Sequence, residues 1–332
     1  MKSKSSLSKK SFDKKHSKTP TPFFQELEMT TPESTQAKMT FAKTDDGVSL
    51  YYEEVGHGQP LLFVHEFAGD WRSWEPQLRF FSRYFRCITF SARGYLPSDV
   101  PPLPKDYSQE RAVKDIVCLL DHLKIEKAHI VGLSMGGFAT LHMGIYHSNR
   151  ALSLVIAGCG YGAEPNKSLD FKNEVEAAAA LFDSVGPVEA AKKYTMGPTR
   201  VQFINKDPRG WNEFAQQMAE HNPLGSANTL RGVQKMRPSL WELVEGMKTI
   251  QVPTLILTGD EDGPCLEPSL LMKKSIPSAC LVVLPRAGHT NNIEDPDVFN
   301  RHLMDFYFSV LSGRYAMRDP RSEQSGILGF SK

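Results

Sequence analysis

Ala128-His129-Ile130-Val131-Gly132-Leu133-Ser134-Met135-Gly136 is an apolar run that ends in a Gly-x-Ser-x-Gly pentapeptide. Phe138-Ala139-Thr140-Leu141-His142-Met143 then continues with helical character. Strand, sharp turn and helix, with a serine at the apex, is the layout of a nucleophile elbow. The glycines have a physical reason. A serine on so tight a turn sits in a strained backbone conformation, and side chains two residues before or after it would collide with neighbouring chain. The turn leaves the hydroxyl exposed above a sheet. It also puts the Met135 N–H at a helix N-terminus, where negative charge is favoured. Chance supplies the pentapeptide in about one chain in ten of this length, so its meaning rests on its surroundings.

Outward from the elbow, short apolar strands alternate with helices. Met39 to Lys43 and Val48 to Val55 read as a hairpin joined by Asp45-Asp46-Gly47. Leu61 to Val64, Cys87 to Phe90, Leu152 to Ala157, Val252 to Thr258 and Cys280 to Leu284 are continuous apolar runs, as strands buried on both faces require. Tyr107 to Leu123 and Asp297 to Leu311 have helical periodicity, and Asp70 is placed to cap a short helix. The alternation predicts an α/β fold with a doubly wound, mostly parallel sheet. Residues 161–249 break the rhythm with helical segments such as Glu174 to Phe182 and Val188 to Tyr194, and no strand. They are expected to form an inserted helical cap, with the core made of residues 39–160 and 250–313.

Residues 1–38 begin Ser/Lys-rich, with Asp13 the only acid before Lys18, and are expected to be a disordered tail rather than a secretory signal. Residues 314–332 are expected to be a loosely packed polar tail. With 39 basic and 38 acidic residues the net charge is +1, so nothing calls for nucleic acid or a membrane surface as partner. Five scattered cysteines without a C-x-x-C pair suit a reducing compartment, and a cytoplasmic location is expected. Neither metal nor cofactor is expected, since no His/Cys group has zinc spacing and no phosphate-binding glycine loop occurs. The pattern carries no signal for oligomeric state.

A neutral hydroxyl is a poor nucleophile and needs a base, usually histidine, which a carboxylate in turn orients. Of the ten histidines, only His289 combines a loop just after a strand, a preceding glycine and a late position in the chain. The acid should follow the strand at 252–258, where Asp260-Glu261-Asp262 offers three carboxylates. Asp262, further out on the loop, is the choice; Asp260 is second, and Glu261 is expected to be solvated. The second oxyanion donor should come from the loop Val64-His65-Glu66-Phe67, which pairs the backbone N–H of Phe67 with that of Met135.

These motifs make the chain resemble the α/β-hydrolase superfamily, in its branch of small cap-bearing hydrolases related to 3-oxoadipate enol-lactonases and carboxylesterases. The resemblance covers roughly residues 39–313. It rests on Gly132-Leu133-Ser134-Met135-Gly136-Gly137, on Thr258-Gly259-Asp260-Glu261-Asp262, and on Gly288-His289 followed by Glu294-Asp295-Pro296. It implies a Ser134–His289–Asp262 triad acting on a small ester, lactone or enol-lactone substrate, with the family's acid falling on Asp262. Competing readings are C–C hydrolysis of a β-diketone-like acid, cofactor-free haloperoxidase or perhydrolase chemistry, and a small-ligand receptor on the same fold. Leu133, where C–C hydrolases have Asn, weakens the first of these. The oxyanion loop departs from the family's His-Gly. Glu66 stands there instead, as a structural ion pair with Arg93 as candidate partner or as a polar contact to substrate. In the cap, Trp211, Trp241, Phe182, Phe214 and Met218 are candidates for an apolar pocket. Arg200 and Arg237 are candidates to hold a substrate carboxylate.

Overall fold

The computed structural model describes residues 39–323 and Ile327. The tail expected over residues 1–38 lies outside the described residues, as does most of the chain after Glu323. Strands β1 (Thr40–Lys43) and β2 (Ser49–Val55) form the antiparallel hairpin that Asp45-Asp46-Gly47 predicts. Then come β3 (Pro60–Val64), helix α1 (Glu75–Phe81), β4 (Arg86–Phe90), α2 (Gln109–His122), β5 (Ala128–Leu133), α3 (Met135–Tyr146) and β6 (Ala151–Ala157). Asp70 does cap a short helix, a single 3-10 turn over Trp71–Trp74, by accepting from the Arg72 N–H.

Between β6 and the next strand there are only helices: α4 (Ser168–Tyr194), α5 (Val201–Lys206), α6 (Pro208–Ala219), α7 (Pro223–Thr229) and α8 (Val244–Met247). The two expected helical segments at 174–182 and 188–194 are one element bent at Gly186, whose φ of 75 interrupts the helical conformation just before Pro187. β7 (Thr254–Gly259), α9 (Gly263–Ser275), β8 (Ala279–Leu284), α10 (Asn291–Glu294) and α11 (Pro296–Leu311) complete the core.

The eight strands form one sheet in the order β1-β2-β4-β3-β5-β6-β7-β8. Pairing is parallel from β4 through β8 and antiparallel at the β1 and β2 end. Both faces are covered, so alternate residues of each central strand enter opposite cores. Leu62, Ile88, Ile130, Ile156 and Ile256 pack on one side. Phe63, Cys87, Val131, Val155 and Leu255 pack on the other, against α1 and α11. Such burial explains why these strands read as unbroken apolar runs.

The chain beyond Gly313 is better fastened than its polarity suggests. The Tyr315 hydroxyl bonds the Thr254 and Ser278 carbonyls at 3.0 and 2.6 Å, and the Arg318 N–H donates to the Pro277 carbonyl at 3.1 Å. Backbone acceptors at the start of β7 and before β8 hold it, and local composition does not reveal those. Among the described residues no helix is long and apolar enough to cross a membrane.

Candidate active site

Ser134 sits between the end of β5 and the first turn of α3 with φ 54 and ψ −113, a left-handed backbone that a non-glycine residue rarely adopts. Its N–H is fixed to the Ala157 carbonyl at 2.8 Å. The flanking glycines are obligatory on steric grounds. A Cβ at Gly132 would lie 2.0 Å from the Gly136 carbonyl oxygen, and one at Gly136 would lie 2.1 Å from that of Val64. Met135 is the first residue of α3, so its N–H has no intrahelical acceptor. Phe67 is buried in the turn that follows β3.

The carboxylate and the imidazole come from the loops that follow β7 and β8. His289 Nδ1 and Asp262 Oδ2 are 2.8 Å apart, both residues buried. Burial alone would favour the neutral imidazole. The charge and hydrogen bond of Asp262, with Glu66 behind, outweigh it and hold the His289 pKa above the ordinary histidine value. Burial likewise pushes Asp262 up, and the His289 charge and hydrogen bond bring it below the usual carboxylate range. Asp260 is used differently: its Oδ1 accepts the Ala287 N–H at 3.2 Å and so shapes the loop that carries His289. Glu261 is exposed, as expected, and accepts from Gln202 Nε2 at 2.6 Å.

The segment between β6 and β7 also grips the loop that carries His289. The His289 N–H donates to the Thr199 carbonyl at 2.9 Å. Buried Glu294 takes the Gly288 N–H on both carboxylate oxygens, at 3.0 and 2.9 Å, and pairs with Lys206 at 2.9 Å. Glu294 stands inside a stretch that the sequence singles out, but its role there depends on Lys206, 88 positions away.

Glu66 has a partner, and it is Arg200 rather than Arg93. Arg200 Nη1 and Nη2 meet the two Glu66 oxygens at 3.0 and 2.6 Å, a buried bidentate pair. Arg93 is instead engaged by Asp115, at 2.6 and 2.8 Å. Burial raises the Glu66 pKa, but the neighbouring charges, Arg200 foremost, bring it below the usual range. A carboxylate beside the serine turn is thereby neutralised, and Arg200 is spent on it rather than free for a substrate. His65 is fixed as well. Its Nε2 accepts the Ala92 N–H at 3.0 Å, so Nδ1 carries the proton and donates to the Glu66 carbonyl at 2.7 Å. Burial drops its pKa to about 4, so it stays neutral.

Replacing Arg200 by Met leaves the Glu66 carboxylate buried without a partner. Denaturant unfolding is expected to show a loss of about 3–5 kcal/mol. Adding Glu66→Gln in the same chain should restore most of it.

Ser134, Asp262 and His289 line one cavity of about 480 Å³, together with Phe138, Phe171 and Leu230. The two tryptophans proposed for this pocket lie elsewhere. Trp211 packs within the apolar cluster of the helical segment and donates to the Thr195 carbonyl at 3.0 Å. Trp241 packs against the core under the sheet. Phe182, Phe214 and Met218 are buried in the contact between that segment and Phe67, Tyr95 and Met135. Helical spacing marks all five as apolar, but it does not tell a cavity wall from a packed interior. Arg237, by contrast, does line the cavity.

Asp262, Cys265 and His289 offer donor atoms within 4.8 Å of one another. Burial, reinforced by the Asp262 charge, pushes the Cys265 thiol well above its ordinary range. A protonated thiol is a poor ligand. With Asp262 and His289 bonded to each other, the trio suits proton transfer better than metal ligation.

A family model described as the alpha/beta hydrolase fold matches residues 59–296. The chain is 28% identical to a 3-oxoadipate enol-lactonase of Acinetobacter baylyi, over 75% of this chain and 89% of that protein. It is 27% identical to a 2-hydroxy-6-oxononadienedioate/2-hydroxy-6-oxononatrienedioate hydrolase of Comamonas testosteroni, over 77% and 90%. Among solved structures, a thermophilic esterase of Thermogutta terrifontis with malate bound is 25% identical and superposes with a TM-score of 0.73, over 82% of this chain and 99% of that one. The sheet order, the strained serine after β5 and the match across most of the core agree: the chain belongs to the α/β-hydrolase fold family.

Proposed function

We propose that the protein is a serine hydrolase that cleaves a small carboxylic ester, lactone or enol-lactone through an acyl-enzyme. The observation that carries this reading is the His289–Asp262 hydrogen bond of 2.8 Å in the cavity that Ser134 lines. With Asp262 on Nδ1, the imidazole presents Nε2 as the free base. Nε2 takes the proton of the Ser134 hydroxyl as Oγ attacks the substrate carbonyl. The resulting oxyanion is held by the N–H groups of Phe67 and Met135, each donor being worth about 10²–10³ in rate. Collapse of the intermediate breaks the C–O bond, and His289 gives its proton to the leaving alcohol or enol oxygen. Water, deprotonated by the same nitrogen, then releases the acid and restores Ser134. Asp262 stays ionised throughout and offsets the imidazolium charge.

The relatives include both an enol-lactonase and hydrolases of dienoic acids. Leu133 in front of the nucleophile, where C–C hydrolases have Asn, favours the ester side. Five cysteines without a disulfide support a reducing, cytoplasmic setting. The test is a panel of short esters, lactones and dienoic acids with Ser134→Ala as control. Turnover of esters or lactones by the parent and its loss in the variant are expected. Turnover of dienoic acids alone would move the protein to the C–C hydrolases.

A further inference from the structure

Two cations among the described residues that line the cavity have no acidic partner, the exposed Lys193 and the half-buried Arg237. Asp262 is committed to His289, and Arg200 is committed to Glu66. Glu174 and Glu261, also in the lining, accept from Tyr161 and Gln202. Arg237 lines the same cavity and pairs with none of these acids. Its Nη1 donates to Gln234 Oε1 at 2.8 Å and its Nη2 to the Tyr161 carbonyl. Its Nε is buried without any acceptor. Two neutral acceptors use only part of a guanidinium's donor fork.

The side chain is nevertheless held firmly. Its guanidinium lies 3.8 Å from the centre of the Phe138 ring and 4.9 Å from that of Phe171. Phe138 is on the first turn of α3, four positions after Ser134, so this cation is fixed relative to the nucleophile. Burial pulls the Arg237 pKa down only to about 10, which leaves the group charged at neutral pH. A partly desolvated cation with no counter-charge is costly unless an anion joins it in the working complex.

We infer that Arg237 anchors a carboxylate carried by the substrate, so that the ester or lactone cleaved is one that bears a free acid besides the scissile bond. This rests on the serine hydrolase reading and narrows it to anionic substrates. The planar fork of arginine, with donors to spare on a ring-stacked guanidinium, matches a carboxylate better than a neutral carbonyl.

The test compares kcat/KM for p-nitrophenyl hydrogen glutarate with that for p-nitrophenyl valerate, which is neutral and of similar length. The parent is expected to favour the charged ester. In Arg237→Gln the charged-to-neutral ratio should fall on the order of 10- to 100-fold, the range for hydrogen bonds to charged groups. Arg237→Lys, which keeps the charge and loses the fork, should fall between the two and guards against misfolding of the glutamine variant. A ratio that neither variant moves overturns the inference.

Calorimetry on the Ser134→Ala protein reads the same site without turnover. Monomethyl glutarate should bind more tightly than dimethyl glutarate, and Arg237→Gln in that background should erase the difference. Equal binding of the two probes overturns the inference whatever the esters do. Absence of turnover with this selective binding intact would instead sink the serine hydrolase reading and leave the carboxylate site standing.

Discussion

Alanine at His289 is expected to lower kcat by about 10⁶-fold on any ester the protein cleaves. The size follows from the role of the ring. Without a base, the Ser134 hydroxyl must attack as a neutral alcohol, and the leaving oxygen departs without a proton. What survives is catalysis by binding and by the oxyanion donors, about 10³–10⁴ over water. Steady-state kinetics check this, with circular dichroism to show that the variant is folded. A loss smaller than about 10²-fold would mean that another group takes the proton.

Asp262→Asn is the second large effect, about 10⁴-fold in kcat. An asparagine can present its amide to Nδ1 and so favour the wrong tautomer, with the proton on Nε2 facing the serine. Asp260→Asn should cost far less, because Asp260 bonds the Ala287 N–H rather than the imidazole. The same bond sets a pH signature. The base must be neutral to act, so kcat/KM falls as pH drops through the His289 pKa. The Asp262 carboxylate holds that pKa above the ordinary histidine value of about 6.5, and the acid limb of the profile should inflect above it. In Asp262→Asn the limb should move to lower pH, since the favourable charge is gone while the burial that opposes protonation remains. A limb that stays in place would show that another group titrates.

Local pattern reveals those parts of the fold whose cause is local. Gly132, Ser134 and Gly136 report a turn too tight for side chains, and the clash distances at both glycines are the physical content of that reading. Central strands such as Leu61 to Val64 are apolar at every position because both faces of the sheet are covered. Place on the loop favours Asp262 but leaves Asp260 as an alternative, and the structure gives the two side chains different partners.

Long-range pairing is where the sequence falls silent. Glu66 and Arg200 are 134 positions apart, and nothing in either neighbourhood names the other. Arg93, nearer in the chain, is drawn to Asp115 on α2 instead. The same holds for Trp211 and Trp241, whose apolarity is plain but whose direction depends on how the helices after β6 lie over the sheet. Arg200 and Arg237 look alike as isolated cations. Only the ion pair of one and the lack of an acidic partner for the other tell them apart.

The claim on which the rest depends is that Ser134 is an activated nucleophile served by His289. Fluorophosphonate labelling followed by peptide mass spectrometry addresses it without knowledge of the substrate. The predicted result is a single adduct on Ser134 that vanishes in Ser134→Ala and forms far more slowly in His289→Ala. An unlabelled Ser134 in folded protein, or an adduct that forms equally fast without His289, would contradict it.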